Sequence, residues 1–331
     1  MNRILATAGS EARIALRNRW VAISVAMMAL FSLVLSAAGS APTGTLGANS
    51  LSVIVASLTS LSVYLVPLIA LLMSFDAIAG EVERGTLPLL LTYPVSRAEV
   101  LLGKLLAHLA ILALAVTVGY GVAAAAAIIS DAGALAGLPA LWRLVWSSVL
   151  LGATFLGVGY AISALTRRPS GAAGLAIGLW LVAIVLYDLG LLAAVVADSG
   201  GSFTNRVFPY LLLANPADAF RLFNLAASGA TAAAAGVAGA ANTIPAWQSL
   251  GSIMLWPVVA LGLAAVARLL GARLRPGEPG SARSLLAGAL TLELAALVPL
   301  VGRFAVPALA GLLGYGAVVM ALVRRRDAPE Q

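Results

Sequence analysis

Residues 76–104 read DAIAGEVERGTLPLLLTYPVSRAEVLLGK and separate two long apolar runs of this 331-residue chain. The segment holds four acids and three bases, although Lys, Arg, Asp and Glu together number only 33 in the whole sequence (20 plus 13). The flanking runs belong in lipid, so the segment marks a place where the chain meets water. Its mixture of charged and apolar residues favours contact with a partner protein, and a plain solvated loop is the alternative.

The composition indicates a membrane protein. Hydrophobic residues make up 61% of the chain and charged residues 10%, and the mean hydropathy is +1.02. Soluble domains carry about 25% charged residues. The net charge of +7 does not indicate nucleic acid binding, because the bases lie at the ends of apolar runs and form no stripe. The chain has no cysteine, which excludes disulfides and thiolate metal sites.

About 20 apolar residues are needed to cross a membrane as a helix. The sequence therefore predicts an all-α polytopic membrane protein with a permease-like core of six spans over residues 1–275 and an added helical hairpin over 276–331. The seventh span has only 18 residues and contains Glu293, so the hairpin either crosses the membrane or lies shallow within it. The predicted spans are 20–38, 52–74, 105–129, 142–165, 172–197, 249–270, 284–301 and 304–323.

The distribution of Lys and Arg predicts the orientation, because positively charged loops stay in the cytoplasm. With both termini inside, 16 of these residues fall on the inner side and 4 on the outer side. The protein is therefore expected in the cytoplasmic membrane. Residues 1–19 are too long for the basic region of a cleaved signal. They predict an inner-surface helix, either an anchor or a functional elbow, whose apolar face comprises Ile4, Leu5, Ala8, Ala12, Ala15 and Leu16.

The outer segment, residues 198–248, contains a second candidate contact surface. Pro216 after Asn215 predicts the start of a helix that lies along the outer membrane surface. Phe220 and Phe223 would share one exposed face, while Asp218 and Arg221 would form a solvated pair at i and i+3. This composition suits the docking of a periplasmic subunit, with Asn215, Asp218, Phe220, Arg221 and Phe223 as the contact residues. A simple interfacial anchor remains the alternative.

The chain offers little chemistry of its own. It has one histidine, His108, and neither a metalloprotease motif nor a phosphate-binding loop, so we expect it not to be an enzyme. His108 is predicted to be structural or interfacial. Two acids lie in apolar runs, Asp188 and Glu293, and such acids are functional candidates. For Asp188 the alternative is a contact with the headgroups or a pair with Arg206 or Arg221.

Local signals inside residues 76–104 predict helices. Ile78 and Val82 have the spacing of a short amphipathic helix, which Gly85 and Pro88 would end. The sequence from Ser96 to Glu99 is a capping box, which predicts that a helix begins at Arg97.

This segment resembles the signature loop of ABC-2 type permeases, the membrane subunits of one class of ATP-binding-cassette transporters. The resemblance rests on residues 75–87, on 94–97, and on Gly103 with Lys104. Residues 187–190 and 215–224 are similar to those of the NosY permeases, which serve maturation of the copper centres of nitrous oxide reductase. The resemblance covers about residues 1–275. The residues that it assigns to ATPase coupling are Asp76, Gly80, Glu81, Glu83, Arg84, Gly85, Thr86, Pro94 and Arg97.

The resemblance also implies the partners: a second copy of the chain, cytoplasmic ATPase subunits that bind ATP and Mg, and a periplasmic protein of the NosD kind. No cofactor or metal is expected in this chain. It lacks a relay of soft copper ligands, which favours a sulfur-containing cargo or a mechanical role. The alternatives are a generic ABC-2 exporter of lipid or drug, and a membrane scaffold without turnover.

Overall fold

The computed structural model describes residues 2–16, 23, 26–34, 50–86, 97–166, 168–226 and 244–273, and within these residues all regular structure is helical. The all-α prediction is confirmed. A 3₁₀ turn, Ala132–Gly137, and two π-helical turns, Leu181–Leu186 and Phe203–Val207, lie between the helices. The α-helices are α1 Asn2–Leu16, α2 Ser50–Ser74, α3 Ala79–Glu83, α4 Arg97–Ser130, α5 Leu138–Leu165, α6 Pro169–Trp180, α7 Tyr187–Asp198, α8 Phe208–Ala214, α9 Pro216–Leu225 and α10 Ala246–Arg273.

Five segments of the described chain are long and apolar enough to cross a membrane, and they match predicted spans two to six. They are Ser50–Glu83, Glu99–Ser130, Gly133–Leu165, Pro169–Asp198 and Ala246–Ala267. The protein is therefore a multi-pass membrane protein. Of the first predicted span, residues 23 and 26–34 are described and are helical. The last two predicted spans, Glu293 and the domain boundary after residue 275 lie outside the described residues.

Helix α5 is the centre of the bundle, because it packs against α2, α4 and α10. Glycines permit this close approach. A Cβ atom added at Gly152 would lie 1.9 Å from Leu112 Cδ2, and one at Gly157 would lie 2.9 Å from the backbone of Ala260. The close packing at these glycines therefore occurs within one subunit. Gly174, by contrast, has no atom within 4 Å of such a Cβ in the described chain, so it faces away from the subunit.

A chain of buried hydroxyl groups joins three spans at the bundle core. The hydroxyl of Tyr120 on α4 lies 3.0 Å from Ser148 Oγ on α5 and also contacts Ser62 Oγ on α2. All three side chains are buried. In lipid, polar groups must find their partners inside the protein, and this chain of hydrogen bonds meets that need for the tyrosine.

The two ends of the bundle differ in structure. At the coupling end, defined here as the end that carries residues 75–86, the N–H groups of Ile78 and Ala79 contact Ser163 near the end of α5. At the opposite end, called the far end, Ser50 Oγ donates to Asp131 Oδ2 over 3.4 Å. Asp131 also accepts from the N–H of Gly133 and so caps the 3₁₀ turn before α5.

Helices α8 and α9 enter the bundle from the far end, which corrects the prediction of a helix along the outer surface. Asn215 begins α9 as expected, with its Oδ1 accepting from the N–H of Ala217. Its Nδ2 donates over 2.7 Å to the carbonyl of Ala183, which lies 15 residues, or about 22 Å of helix, before the end of the span at Asp198. The start of α9 is therefore deep among the spans.

Candidate functional site

Helix α3 is the short amphipathic helix that the sequence predicts after Asp76, and it is capped by another span. Its own N-cap residue, Ile78, makes no side-chain cap. Instead, Ser163 Oγ on α5 accepts from the N–H of Ile78 over 2.9 Å and from that of Ala79 over 3.0 Å. Beyond the helix, Gly85 has φ of +68°, a conformation that favours glycine. The helix is thus fixed to α5 at its start and ends where predicted.

The turn before α3 depends on Gly80. A Cβ atom added there would lie 1.9 Å from Asp76 Oδ1. The same aspartate accepts from Arg84 Nη1 over 3.2 Å, and both side chains are well exposed. An exposed ion pair of this kind contributes little to stability. The ion pair therefore leaves Arg84 at the surface.

Lys104 joins three helices at the coupling end. Its Nζ lies 2.6 Å from Glu11 Oε1 on α1 and 2.7 Å from Glu81 Oε1 on α3, while Lys104 itself belongs to α4. The three side chains are only 8%, 17% and 10% exposed, in the order Lys104, Glu11, Glu81. Glu81, which the resemblance assigns to ATPase coupling, is therefore buried in an internal ion pair and does not belong to the exposed surface.

Within the described residues, only some of those that the resemblance assigns to coupling are exposed. Val82, Glu83, Arg84, Gly85 and Thr86 are all exposed, and residues 82–86 are called the coupling surface below. Val82 adds an apolar side chain to the two opposite charges. Such a mixture suits protein recognition, since charges steer and select while apolar groups are buried.

Two other residues assigned to coupling lie at the limits of the structure. Helix α4 is described from Arg97 onward, and the capping residue Ser96 lies outside the described residues. The side chain of Arg97 and the whole of Pro94 are outside the described residues.

Helix α1 packs directly on α4. A Cβ atom at Gly103 would lie 2.7 Å from Thr7 Cβ and 3.2 Å from the backbone of Ala8. The face toward the protein therefore contains Thr7, Ala8 and Glu11, whereas Leu5, predicted on the same face as Ala8, is exposed. The predicted apolar face is thus divided between α4 and the surroundings.

His108 lies one helical turn beyond Lys104. Its Nδ1 lies 2.8 Å from the hydroxyl of Tyr160 on α5, and the two rings stack with centroids 5.9 Å apart. This contact joins α4 to α5 next to the ion pairs of Lys104. The environment is that of a structural histidine, the role expected from the sequence.

A second polar cluster lies between α2, α7 and α9. Arg221 Nη2 lies 2.8 Å from Asp188 Oδ2, and its Nη1 lies 3.1 Å from Asp218 Oδ1. Tyr64 also donates to Asp188 Oδ2, over 3.3 Å. Of the alternatives for Asp188, the pair with Arg221 is therefore the one present. Burial raises the pKa of Asp218, which lies outside the five spans, to about 8, although the neighbouring guanidinium acts in the opposite direction.

The predicted docking face on α9 is inside the subunit. Phe220 and Phe223 are 0% and 5% exposed, and Asp218 is 1% exposed, so the expectation of an exposed aromatic pair beside a solvated ion pair is wrong. Phe223 meets Trp146 edge-on at 5.3 Å between centroids, and the guanidinium carbon of Arg143 lies 3.7 Å from its ring centroid. These contacts fill the space between α5 and α9.

Sequence reasoning missed Glu11, Ser163 and Tyr64. Each is the distant partner of a group that the sequence did single out: Lys104, the start of α3, and Asp188. A search for oppositely charged residues at equal depth would have found Glu11. Ser163 and Tyr64 carry no such signal, because serine and tyrosine are common in apolar helices.

The structure places a short helix between spans at one end of a multi-pass bundle. Residues 5–270 match the family described as ABC-2 family transporter protein. The chain belongs to this family. It is accordingly an ABC transporter permease of the ABC-2 type.

Two curated relatives of this ABC-2 permease carry the same name. The probable ABC transporter permease protein NosY of Pseudomonas aeruginosa is 46% identical over 256 residues, covering 75% of this chain and 91% of the relative. The protein of that name from Stutzerimonas stutzeri is 42% identical over 268 residues, covering 80% of this chain and 97% of the relative. Within the described residues, no group of three or more His, Cys, Asp or Glu is placed to hold a metal ion.

Proposed function

We propose that this ABC-2 permease couples ATP hydrolysis by a separate cytoplasmic ATPase to movement of its spans, through the coupling surface at residues 82–86. The observation that carries the proposal is the double attachment of α3. Ser163 fixes its first turn to α5, and the ion pair of Glu81 with Lys104 fixes its middle to α4. The basic residues, 16 on the predicted inner side against 4 on the outer side, support a cytoplasmic coupling end.

The attachments give a defined path for force. A displacement of the coupling surface moves α3 as a unit, and Ser163 passes it to α5. Since α5 packs on α2, α4 and α10, the displacement reaches the centre of the bundle without a flexible joint. The partner ATPase binds ATP and Mg, and this chain supplies the helix α3 that transmits the movement.

The name shared by the relatives supports a role in assembly of the copper centres of nitrous oxide reductase. In this role the permease works as a dimer, with ATPase subunits at the coupling end and a periplasmic partner of the NosD kind at the far end. The sequence has no cysteine and one histidine, so it offers no line of soft ligands for copper. This favours remodelling of the periplasmic partner, or transport of a sulfur species, over passage of copper.

The test reverses two exposed charges on the coupling surface, Glu83→Lys with Arg84→Glu. The full-length chain is produced with its ATPase, and two quantities are measured: permease-dependent ATPase activity in lipid nanodiscs, and copper content of nitrous oxide reductase in cells that lack their own permease. We expect both to fall at least tenfold while the amount of permease in the membrane is unchanged. The control, Leu135→Glu, adds one charge to an exposed residue at the far end and leaves permease-dependent ATPase activity unchanged.

The two measurements separate the possible outcomes. Unchanged ATPase activity in the double variant overturns the coupling surface. Normal copper content in cells without any permease, together with permease-dependent ATPase activity, contradicts the assembly role and points to export of lipid or drug.

A further inference from the structure

The cluster around Arg221 contains one more acid than base. Asp188 on α7 and Asp218 on α9, together called the acid pair, both contact the same guanidinium, at 2.8 Å and 3.1 Å. With both acids ionised, the cluster carries one net negative charge. The side chains of Asp188 and Arg221 are 22% and 26% exposed, whereas that of Asp218 is 1% exposed. An uncompensated charge at such a site is costly.

Among the described residues, no second cation contacts the acid pair. Arg143 on α5 contacts the ring of Phe223, and the arginines of α10 lie at residues 268 and 273, in its last turns. The other charged or titratable groups on the neighbouring elements are Asp198 in the last turn of α7, Arg206 on the π-helical turn before α8, Tyr160 on α5, and three further tyrosines. These three are Tyr64 on α2, which donates to Asp188, Tyr187 on α7, which donates to the carbonyl of Leu211, and Tyr210 on α8.

The two acids differ in what surrounds their oxygens. Asp188 Oδ2 accepts from both Arg221 and Tyr64. Asp218 uses Oδ1 for Arg221, but its Oδ2 is buried and has no hydrogen-bond partner among the described residues. A buried carboxylate oxygen without a donor is costly, and a proton on that oxygen removes its charge.

We infer that the acid pair is a proton-binding site, which holds one proton on Oδ2 of Asp218 and makes the cluster with Arg221 electrically neutral. The proton is retained because two acids face one guanidinium. If α7 moves away from α9, Asp218 alone contacts Arg221. The charge of ionised Asp218 is then neutralised by the guanidinium, and the proton is released. Partial exposure of Asp188 and Arg221 gives the proton a route to exchange.

The test is infrared difference spectroscopy of the full-length permease in lipid nanodiscs. A protonated carboxylic acid has a C=O stretching band that is separate from the carboxylate bands. We expect this band in the difference spectrum of wild type minus Asp218→Asn at pH 6. It should disappear as the pH is raised through about 8, where the pKa of Asp218 lies. Asp188→Asn should also remove it, because Arg221 then balances Asp218 alone.

The controls make each outcome informative. Glu83→Gln removes an exposed acid at the coupling end and should leave the wild-type band unchanged. Absence of a carboxylic acid band assigned to Asp218 at pH 6 overturns the inference. Persistence of the band in Asp188→Asn overturns the argument from charge balance, since protonation would then depend on burial of Asp218 alone. Asparagine is nearly isosteric with the protonated acid, so both Asp→Asn variants should fold. The pH titration of the wild-type band tests the inference even if a variant does not fold.

Discussion

At the scale of single residues, Lys104 is the side chain on which the coupling end depends. It is buried and contacts two acids that belong to helices far apart in sequence, Glu11 and Glu81. A buried cation of this kind gives little net stability compared with apolar packing, but removing it leaves two acids without their partner. Its value is therefore in fixing the geometry of α1 and α3 relative to α4.

We predict that Lys104→Met destabilises the subunit by about 3–5 kcal/mol, the usual loss when one member of a buried ion pair is removed. The measurement is the temperature at which detergent-solubilised permease loses its monodisperse elution profile, which should fall by several degrees. Glu83→Gln, at an exposed acid of the same helix α3, serves as the matched control and should leave it unchanged. If Lys104→Met and wild type lose the monodisperse profile at the same temperature, the three helices are held together by other contacts.

At the scale of elements, α3 is notable for its dependence on α5. Five residues form little stable helix alone, and the N–H groups at the start of a helix need acceptors. Ser163 supplies one oxygen to two of them. The helix therefore forms only as part of the bundle, which agrees with the proposed transmission of force.

We predict that Ser163→Ala loosens α3 while the bundle stays folded, because two N–H groups lose their acceptor at a cost of about 1–2 kcal/mol. Hydrogen exchange at residues 78–83 should become at least fivefold faster, and exchange in the middle of α5 should not change. Ser130→Ala removes a single exposed hydrogen bond to the carbonyl of Ala126 and is the matched control. Unchanged exchange at residues 78–83 in Ser163→Ala contradicts the capping role.

The sequence predicts elements well where the signals are local. The start of α9 at Pro216 and the break at Gly85 follow from capping and backbone preferences over a few residues. The burial of α9 inside the bundle, by contrast, cannot be predicted from its local sequence. An amphipathic pattern is the same whether the polar face meets water or an internal network, and here Asp218 finds Arg221 and Asn224 finds Ser147 inside the bundle.

Contacts between residues far apart in the sequence could not be predicted, because they too depend on how the helices pack. Lys104 and Glu11 are 93 residues apart, and nothing in the local sequence of either specifies the other. The segment of residues 76–104 could be identified as a contact region from its charges. Which of those charges face a partner, and which are used internally, depends on packing that a single sequence does not reveal.

At the scale of the whole molecule, the account requires that the coupling end face the cytoplasm. The chain has no cysteine, so a single introduced cysteine is a unique label site. In intact cells, Leu135→Cys at the far end should react with an impermeant thiol reagent, and Arg84→Cys should react only after the membrane is opened. Both positions are exposed in the subunit. Labelling of Arg84→Cys from outside would invert the topology and place the coupling surface on the wrong side for an ATPase.

The central claim is that residues 82–86 contact the ATPase, and crosslinking tests it most directly. A photoactivated crosslinker is attached to Glu83→Cys in the full-length permease, and the complex with its ATPase is irradiated in nanodiscs. The account predicts a covalent permease–ATPase product from this position and none from Leu135→Cys at the far end. If the complex copurifies intact but Glu83→Cys gives no product, or if Leu135→Cys gives it instead, the ATPase docks elsewhere and the coupling account is contradicted.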